Sequence, residues 1–347
     1  MIVHAVGYLH RGGMIIQGER RLRCESLLSR GSSTTHEMSR TVRLLPCTVL
    51  CVSVLCAAGV QIRDGTKLLP VIDKQDIRFV TLTSGGEALK KNVRGISQDN
   101  QGFMWFATDD GFFRYDGYTL TPYRHDPTNP NSISSDNLFT VYKDRSGILW
   151  IGTVFDGLER WDPASGVFTH YRHQSNIANS LISDQIKCIY QDRHGALWIG
   201  TNGGLDRFDP ATGTSAHYRH DPRIPGSLSS DLITSIYEDR HDNLWVGTTH
   251  GLNQFDRGTG RSTRYFHDPK APHSLGHDYV ARIVEDRSGV LWIGSSFGDG
   301  LCSFDFKTHD FTNYSFHQEK PSAGNLSGLV TLHEDAAGGV WLGTERD

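Results

Sequence analysis

The chain has 347 residues, 37% hydrophobic and 21% charged, with a formal net charge of −4. That balance excludes a disordered polymer, and with no basic stripe it excludes a nucleic-acid or anionic-membrane binder. Thirty-seven glycines and 35 aromatic residues (7 Trp, 12 Tyr, 16 Phe) favour an all-β fold with many tight turns.

Residues 1–37 are polar and unpatterned, and are expected to be an unstructured upstream extension with Met38 as the working start. Residues 38–58 read as a signal peptide. Arg40 and Arg43 form the positive start, Leu44 to Cys56 is uncharged and mostly apolar, and Ala57-Ala58 supplies small residues for cleavage. The uncharged run from Leu44 to Ile62 is just long enough to span a bilayer, so cleavage and retention both stay open. Ser53-Val54-Leu55 before Cys56 suits a lipoprotein signal poorly. Cys24, Cys47, Cys51 and Cys56 fall before residue 59, leaving Cys188 and Cys302 at different points of different repeats. Neither a disulfide nor a metal site is expected of them. Residues 59–78 read as a linker.

From residue 79 the chain repeats itself. Trp105, Trp150, Trp198, Trp245, Trp292 and Trp341 lie 45, 48, 47, 47 and 49 residues apart, and six residues before them stand Asp99, Asp144, Asp192, Asp239, Asp286 and Asp335. The phrases run DNQGFMWFAT, DRSGILWIGT, DRHGALWIGT, DRHDNLWVGT, DRSGVLWIGS and DAAGGVWLGT. A period of this length is that of a four-stranded propeller blade. In one unit, Leu138 to Tyr142 is the first strand and Asp144-Arg145-Ser146-Gly147 a turn. Ile148 to Thr153 is the second strand, Leu158 to Trp161 the third and Val167 to Tyr171 the outermost. A polar connector then ends in ISSD, LISD, LSSD or LGHD, placing Asp136, Asp184, Asp231 and Asp278 before the next blade. The expected fold is an all-β propeller with blades at about 93–137, 138–185, 186–232, 233–280 and 281–329 and part of a sixth at 330–347. It is either an incomplete ring or a fragment of a larger, seven-bladed one, within a repeat region of 79–347.

The series LWIGT, GLxRFDPxTG, YRHDP and SLSSD resembles the two-component regulator propeller repeat, and GFMWFATDDGFFRYDGY resembles the opening blade of such domains. The resemblance implies the periplasmic sensor half of a membrane receptor, exported by its signal peptide and attached to the inner membrane in a full-length relative. It also implies a downstream histidine kinase or diguanylate cyclase module, and a possible dimer of the full-length form. Such proteins characteristically carry more repeats, so a truncated gene product is the expectation here. The implied role is binding a small ligand, such as an oligosaccharide, and signalling to that module, with no enzymatic activity in this chain.

Candidate site residues follow from one rule: a residue present in every blade maintains the blade, and one that differs is the better functional candidate. His125, His173, His220 and His267 recur one per blade and read as structural. Asp136, Asp184, Asp231 and Asp278 read either as ligands around the channel or as partners of loop N–H groups. The loop between second and third strands varies as DDG, VFDG, NGG, THG and SFGDG. It singles out Asp110, Phe155, Asp156, Asn202, His250, Phe297 and Asp299, where an aromatic beside a carboxylate suits a sugar ring. The other reading is a variable surface loop. No GxSxG, HExxH or phosphate-binding Gly loop is present, so no catalytic residue, metal or cofactor is assigned. A lyase or glycosidase using channel carboxylates, and a secreted protein-interaction scaffold, are the alternatives.

Overall fold

The structure is a computed structural model that describes residues 92–163, 165–297, 300–315, 329–334 and 340–344, with short strands at 5–10, 13–14, 67–68, 83–84 and 87–88. Blade 1 consists of Val93–Gln98, Met104–Thr108, Gly111–Tyr115 and Leu120–Tyr123. Blades 2 to 5 start at Leu138–Lys143, Ile186–Gln191, Ile233–Glu238 and Arg282–Glu285, and each is an antiparallel sheet whose four strands lie in chain order. A sixth sheet contains Leu329–Glu334 and Val340–Thr344. The result is five four-stranded blades and a partial sixth, an incomplete β-propeller.

Ala5–His10 runs antiparallel to Val340–Thr344, with Gly13–Met14 beside it. Lys67–Leu68, in the expected linker, lies parallel to the outer strand of blade 5. Residues 38–58, read as a signal peptide, fall outside the described residues, as do Phe79 to Leu82 and Asp335.

The turn aspartate does more than close its turn. Asp144 Oδ1 accepts the backbone N–H of Ser146 (2.9 Å) and Ile148 (3.0 Å), while Oδ2 accepts the indole N–H of Trp150 (2.9 Å). The same indole bond recurs at Asp99–Trp105 (2.8 Å), Asp192–Trp198 (2.8 Å), Asp239–Trp245 (2.8 Å) and Asp286–Trp292 (2.9 Å). A tryptophan can be buried fully only when its N–H finds an acceptor, and this spacing supplies one. Gly147 completes the turn at φ 90°, and where blade 4 has Asp242 instead the φ is 69°. A short polar side chain tolerates that left-handed region better than most.

Packing between blades explains the remaining constants. Trp150 meets Phe208 of the next blade at 5.7 Å, Trp198 meets Phe255 at 5.5 Å, and Trp245 meets Phe304 at 5.1 Å. The glycine after the tryptophan makes room for the next blade. A Cβ on Gly152 would stand 2.6 Å from Ile186, and one on Gly247 2.6 Å from Val280. The arginine after the turn aspartate joins blades across the lower rim. The Arg193 N–H donates to Glu238 (2.7 Å), Arg240 to Glu285 (2.7 Å) and Arg287 to Glu334 (2.7 Å), the last tying in the sixth blade. In blade 1 the residues trade roles: Lys143 Nζ of blade 2 donates to Asn100 (3.0 Å).

Candidate functional site

Connectors and second-to-third-strand loops open on one face, because the first and third strands both start there. The repeated His–Asp pair builds that face. The His173 N–H donates to Asp184 Oδ1 (2.6 Å), its ring Nδ1 bonds Leu181 O (2.7 Å), and the Gly157 N–H donates to Asp184 O (3.0 Å). His125–Asp136, His220–Asp231 and His267–Asp278 repeat the first bond at 2.7, 2.6 and 2.7 Å. Of the two readings of these aspartates, the partner of loop N–H groups matches the geometry.

The variable loop residues divide into anchored and exposed. Asp110 holds Arg124 through two 2.9 Å bonds, which raise the guanidinium pKa above its ordinary value. Asp156 lies 3.4 Å from Arg172. Asn202 donates to the side chain of Gln185. His250 Nδ1 is 3.6 Å from Asp278, and its ring is 5.5 Å from Phe266. Phe155 and Phe297 instead stand in solvent, 63% and 54% exposed. Asp299 lies outside the described residues. These candidates fall one or two to a blade, spread over five blades. Around Phe297 alone a group forms, with Tyr279 at 5.3 Å and His277 at 5.4 Å. Burial draws the His277 ring below its ordinary pKa.

Reading the sequence missed the residues nearest the axis. In blades 1 to 4 the register of the first strand slips by one residue, between Val93 and Gly95, Leu138 and Thr140, Ile186 and Cys188, and Ile233 and Ser235. A bulge re-aims the extra residue, and here that residue is Arg94, Phe139, Lys187 or Thr234. Three of these meet. Lys187 Nζ lies 4.3 Å from the Phe139 ring centroid, and Arg94 Cζ lies 6.0 Å from it on the other side of blade 2. Burial, then the Arg94 charge, pulls the Lys187 pKa down. On blade 5 the Arg282 guanidinium donates to Ala281 O (2.9 Å). Burial pulls its pKa down as well. The only signal in the sequence was that these positions vary, and the bulge that aims them is invisible there.

The opposite face carries a charge network between blades 3 and 4. His194, Glu238 and Asp242 bring ligand-type atoms within 4.8 Å of one another. Guanidinium groups already engage them. Arg193 Nε is 3.2 Å from Glu238, and Arg257 donates to Glu238 and lies 3.3 Å from Asp242. Asp242 replaces the turn glycine and Arg257 the turn proline, so two departures of blade 4 join in one network. A cation site does not fit two guanidiniums. Arg257, Arg261 and Thr263 line an open cleft of about 920 Å³ beside it. Cys188 and Cys302 are free thiols.

Stacked sheets of this plan define a propeller built of tandem four-stranded repeats. The model of the two component regulator propeller family matches at residues 89–110, 132–155, 180–203, 227–250 and 274–297. These five stretches are repeats of that family's kind. No curated protein matches it. Among solved structures it is similar to the extracellular domain of BT3049 from B. thetaiotaomicron, assigned to a hybrid two-component system, at 24% identity and TM-score 0.48, covering 73% of this chain and 39% of that one. It is also similar to virginiamycin B lyase from Staphylococcus aureus, at 14% identity and TM-score 0.54, covering 76% and 80%. A third similar structure is PorZ of Porphyromonas gingivalis, at 15% identity and TM-score 0.51, covering 73% and 38%. The lyase and PorZ likenesses concern the fold alone. The chain spans about two-fifths of the BT3049 ectodomain.

Proposed function

We propose that this chain is the extracytoplasmic sensing part of a two-component-type signalling protein. Its connector face binds a small ligand such as an oligosaccharide, and the signal passes to a kinase or cyclase module of the longer protein. The observation that carries the reading is the division of labour on that face. What every blade shares is tied into internal bonds, while two residues that differ between blades, Phe155 and Phe297, stand in solvent. Exposed aromatic rings offer a stacking surface for sugars. The five matches to the regulator propeller repeat support the sensing role. Residues 38–58, as a signal peptide, would bring the repeats to the periplasm.

A non-catalytic role suits the buried acid–imidazole pairs, which are structural. His170 Nδ1 is 2.5 Å from Glu159 and its Nε2 is 3.0 Å from Pro130 O; His217 bonds Asp206 (2.5 Å) and Ala178 O (2.9 Å). Each pair fastens a connector to its blade. The test is calorimetric titration of the full chain with a panel of neutral and acidic oligosaccharides. Saturable binding weakened about tenfold or more by Phe297→Ala is the expected result, and no binding across the panel overturns the proposal.

A further inference from the structure

We propose that the mouth of the propeller axis is an oxyanion site, formed by Arg94 and Lys187 around Phe139, and that it selects an acidic sugar over a neutral one. The inference rests on the sensing reading above and assigns the chemical class of its ligand.

Two positive side chains, from blades 1 and 3, come to one place against Phe139 of blade 2, in a chain whose net charge is −4. Like charges repel, and bringing them out of water adds to the cost. Proteins ordinarily offset this with carboxylates. Among the described residues, neither group forms an ion pair with a carboxylate, and the Arg94 guanidinium donates instead to the neutral Asn137 side chain (3.0 Å) and Leu138 O (3.4 Å). Elsewhere the same chain pairs its arginines readily, as Arg124 with Asp110 and Arg193 with Glu238 show. The unmet positive charge is therefore local to the axis.

Geometry explains how it is held. The bulged residue of each first strand is turned out of the ladder, so Arg94 and Lys187 reach the axis from positions that pair near the connector face. Phe139 stands between them as a common cation–π partner that offsets part of the repulsion and neutralises none of the charge. Burial first, and then the Arg94 charge, lowers the Lys187 pKa. An entering carboxylate or sulfate would accept from both groups, which have no other anion. Tyr279 and Phe297 of blade 5 stand on the same face, where they can receive the sugar ring that carries the acid.

The test uses the full chain, titrated in a calorimeter at constant ionic strength with inorganic sulfate, a uronic acid disaccharide and the neutral methyl ester of that disaccharide. The variants are Lys187→Gln and Arg94→Gln, the second on an exposed residue whose loss leaves the blade core intact. The expected result is saturable binding of the disaccharide about tenfold or more tighter than its ester, lost about tenfold or more in either variant. Sulfate competing with the disaccharide identifies the oxyanion as the shared chemistry; sulfate failing to compete while the acid binds assigns a carboxylated sugar as the source. Equal binding of acid and ester, or acid binding unchanged in both variants, overturns the inference and leaves the sensing reading standing. No binding of any of these or of the oligosaccharide panel overturns both.

Discussion

Replacing Asp144 by asparagine changes one atom and no volume, which makes it a sharp probe of the blade. Oδ1 can go on accepting from Ser146 and Ile148, but the new amide N–H₂ faces the indole N–H of Trp150 at 2.9 Å. Two donors then oppose each other at a tryptophan that is 1% exposed. The buried indole N–H loses its acceptor, worth about 1–3 kcal/mol, and the two turn bonds lose their ionic character, so about 2–4 kcal/mol should go. Trp150→Phe removes the same donor and strands the carboxylate from the other side. The double variant should therefore cost less than the two single ones together, with a coupling of about 1–3 kcal/mol. Urea unfolding followed by far-ultraviolet circular dichroism gives the three midpoints at unchanged slope. Additivity within about 0.5 kcal/mol would refute the account of why aspartate and tryptophan keep their six-residue spacing.

Other consequences follow from single contacts. Gly200→Ala places a Cβ 2.4 Å from Cys188 Sγ and 2.7 Å from Ile233, and should cost about 1–3 kcal/mol. Gly195→Ala meets nothing within 4 Å and bears only the strain of φ 88°, about 1 kcal/mol; denaturant midpoints in the reverse order would contradict the close approach of blades. The hydrogen bond to Glu159 raises the His170 pKa above 6.5. The folded state then holds that proton more tightly than the unfolded state. The stabilisation is fully present below about pH 6.5 and is lost as pH rises through the raised folded value. His170→Gln should flatten this part of the stability–pH curve, and an unchanged slope counts against the pair. Burial pushes the Cys302 thiol pKa up to about 12, so a disulfide reagent at pH 8 should label it only on unfolding; rapid native labelling would show an open blade 5.

The fold was legible because the blade is written locally. Turn aspartate, glycine and tryptophan all fall within one phrase, and its recurrence reports the architecture. What joins one phrase to another was not. The bond from Arg193 to Glu238 spans 45 positions, and no single repeat reveals that the arginine serves the next blade. The indole acceptor escaped notice for a different reason: a turn aspartate already has backbone partners, so nothing demands a second role. At the candidate site, Asp110 and Asp156 were selected for varying, yet each is engaged by an arginine of its own blade, 14 and 16 residues on. Arg94, Phe139 and Lys187 were passed over because a one-residue bulge decides where they aim. Variation locates a face of the propeller; register decides which residues on it meet.

Hydrogen exchange of the full chain, with and without a saturating acidic oligosaccharide, tests the central claim most directly. The account predicts slowed exchange in the connectors and second-to-third-strand loops, centred on residues 154–157, 277–280 and 296–297 and on the first residues of the innermost strands. Protection confined to the opposite face, in the cleft beside Arg257 and Arg261, or no protection under saturating ligand, would contradict it.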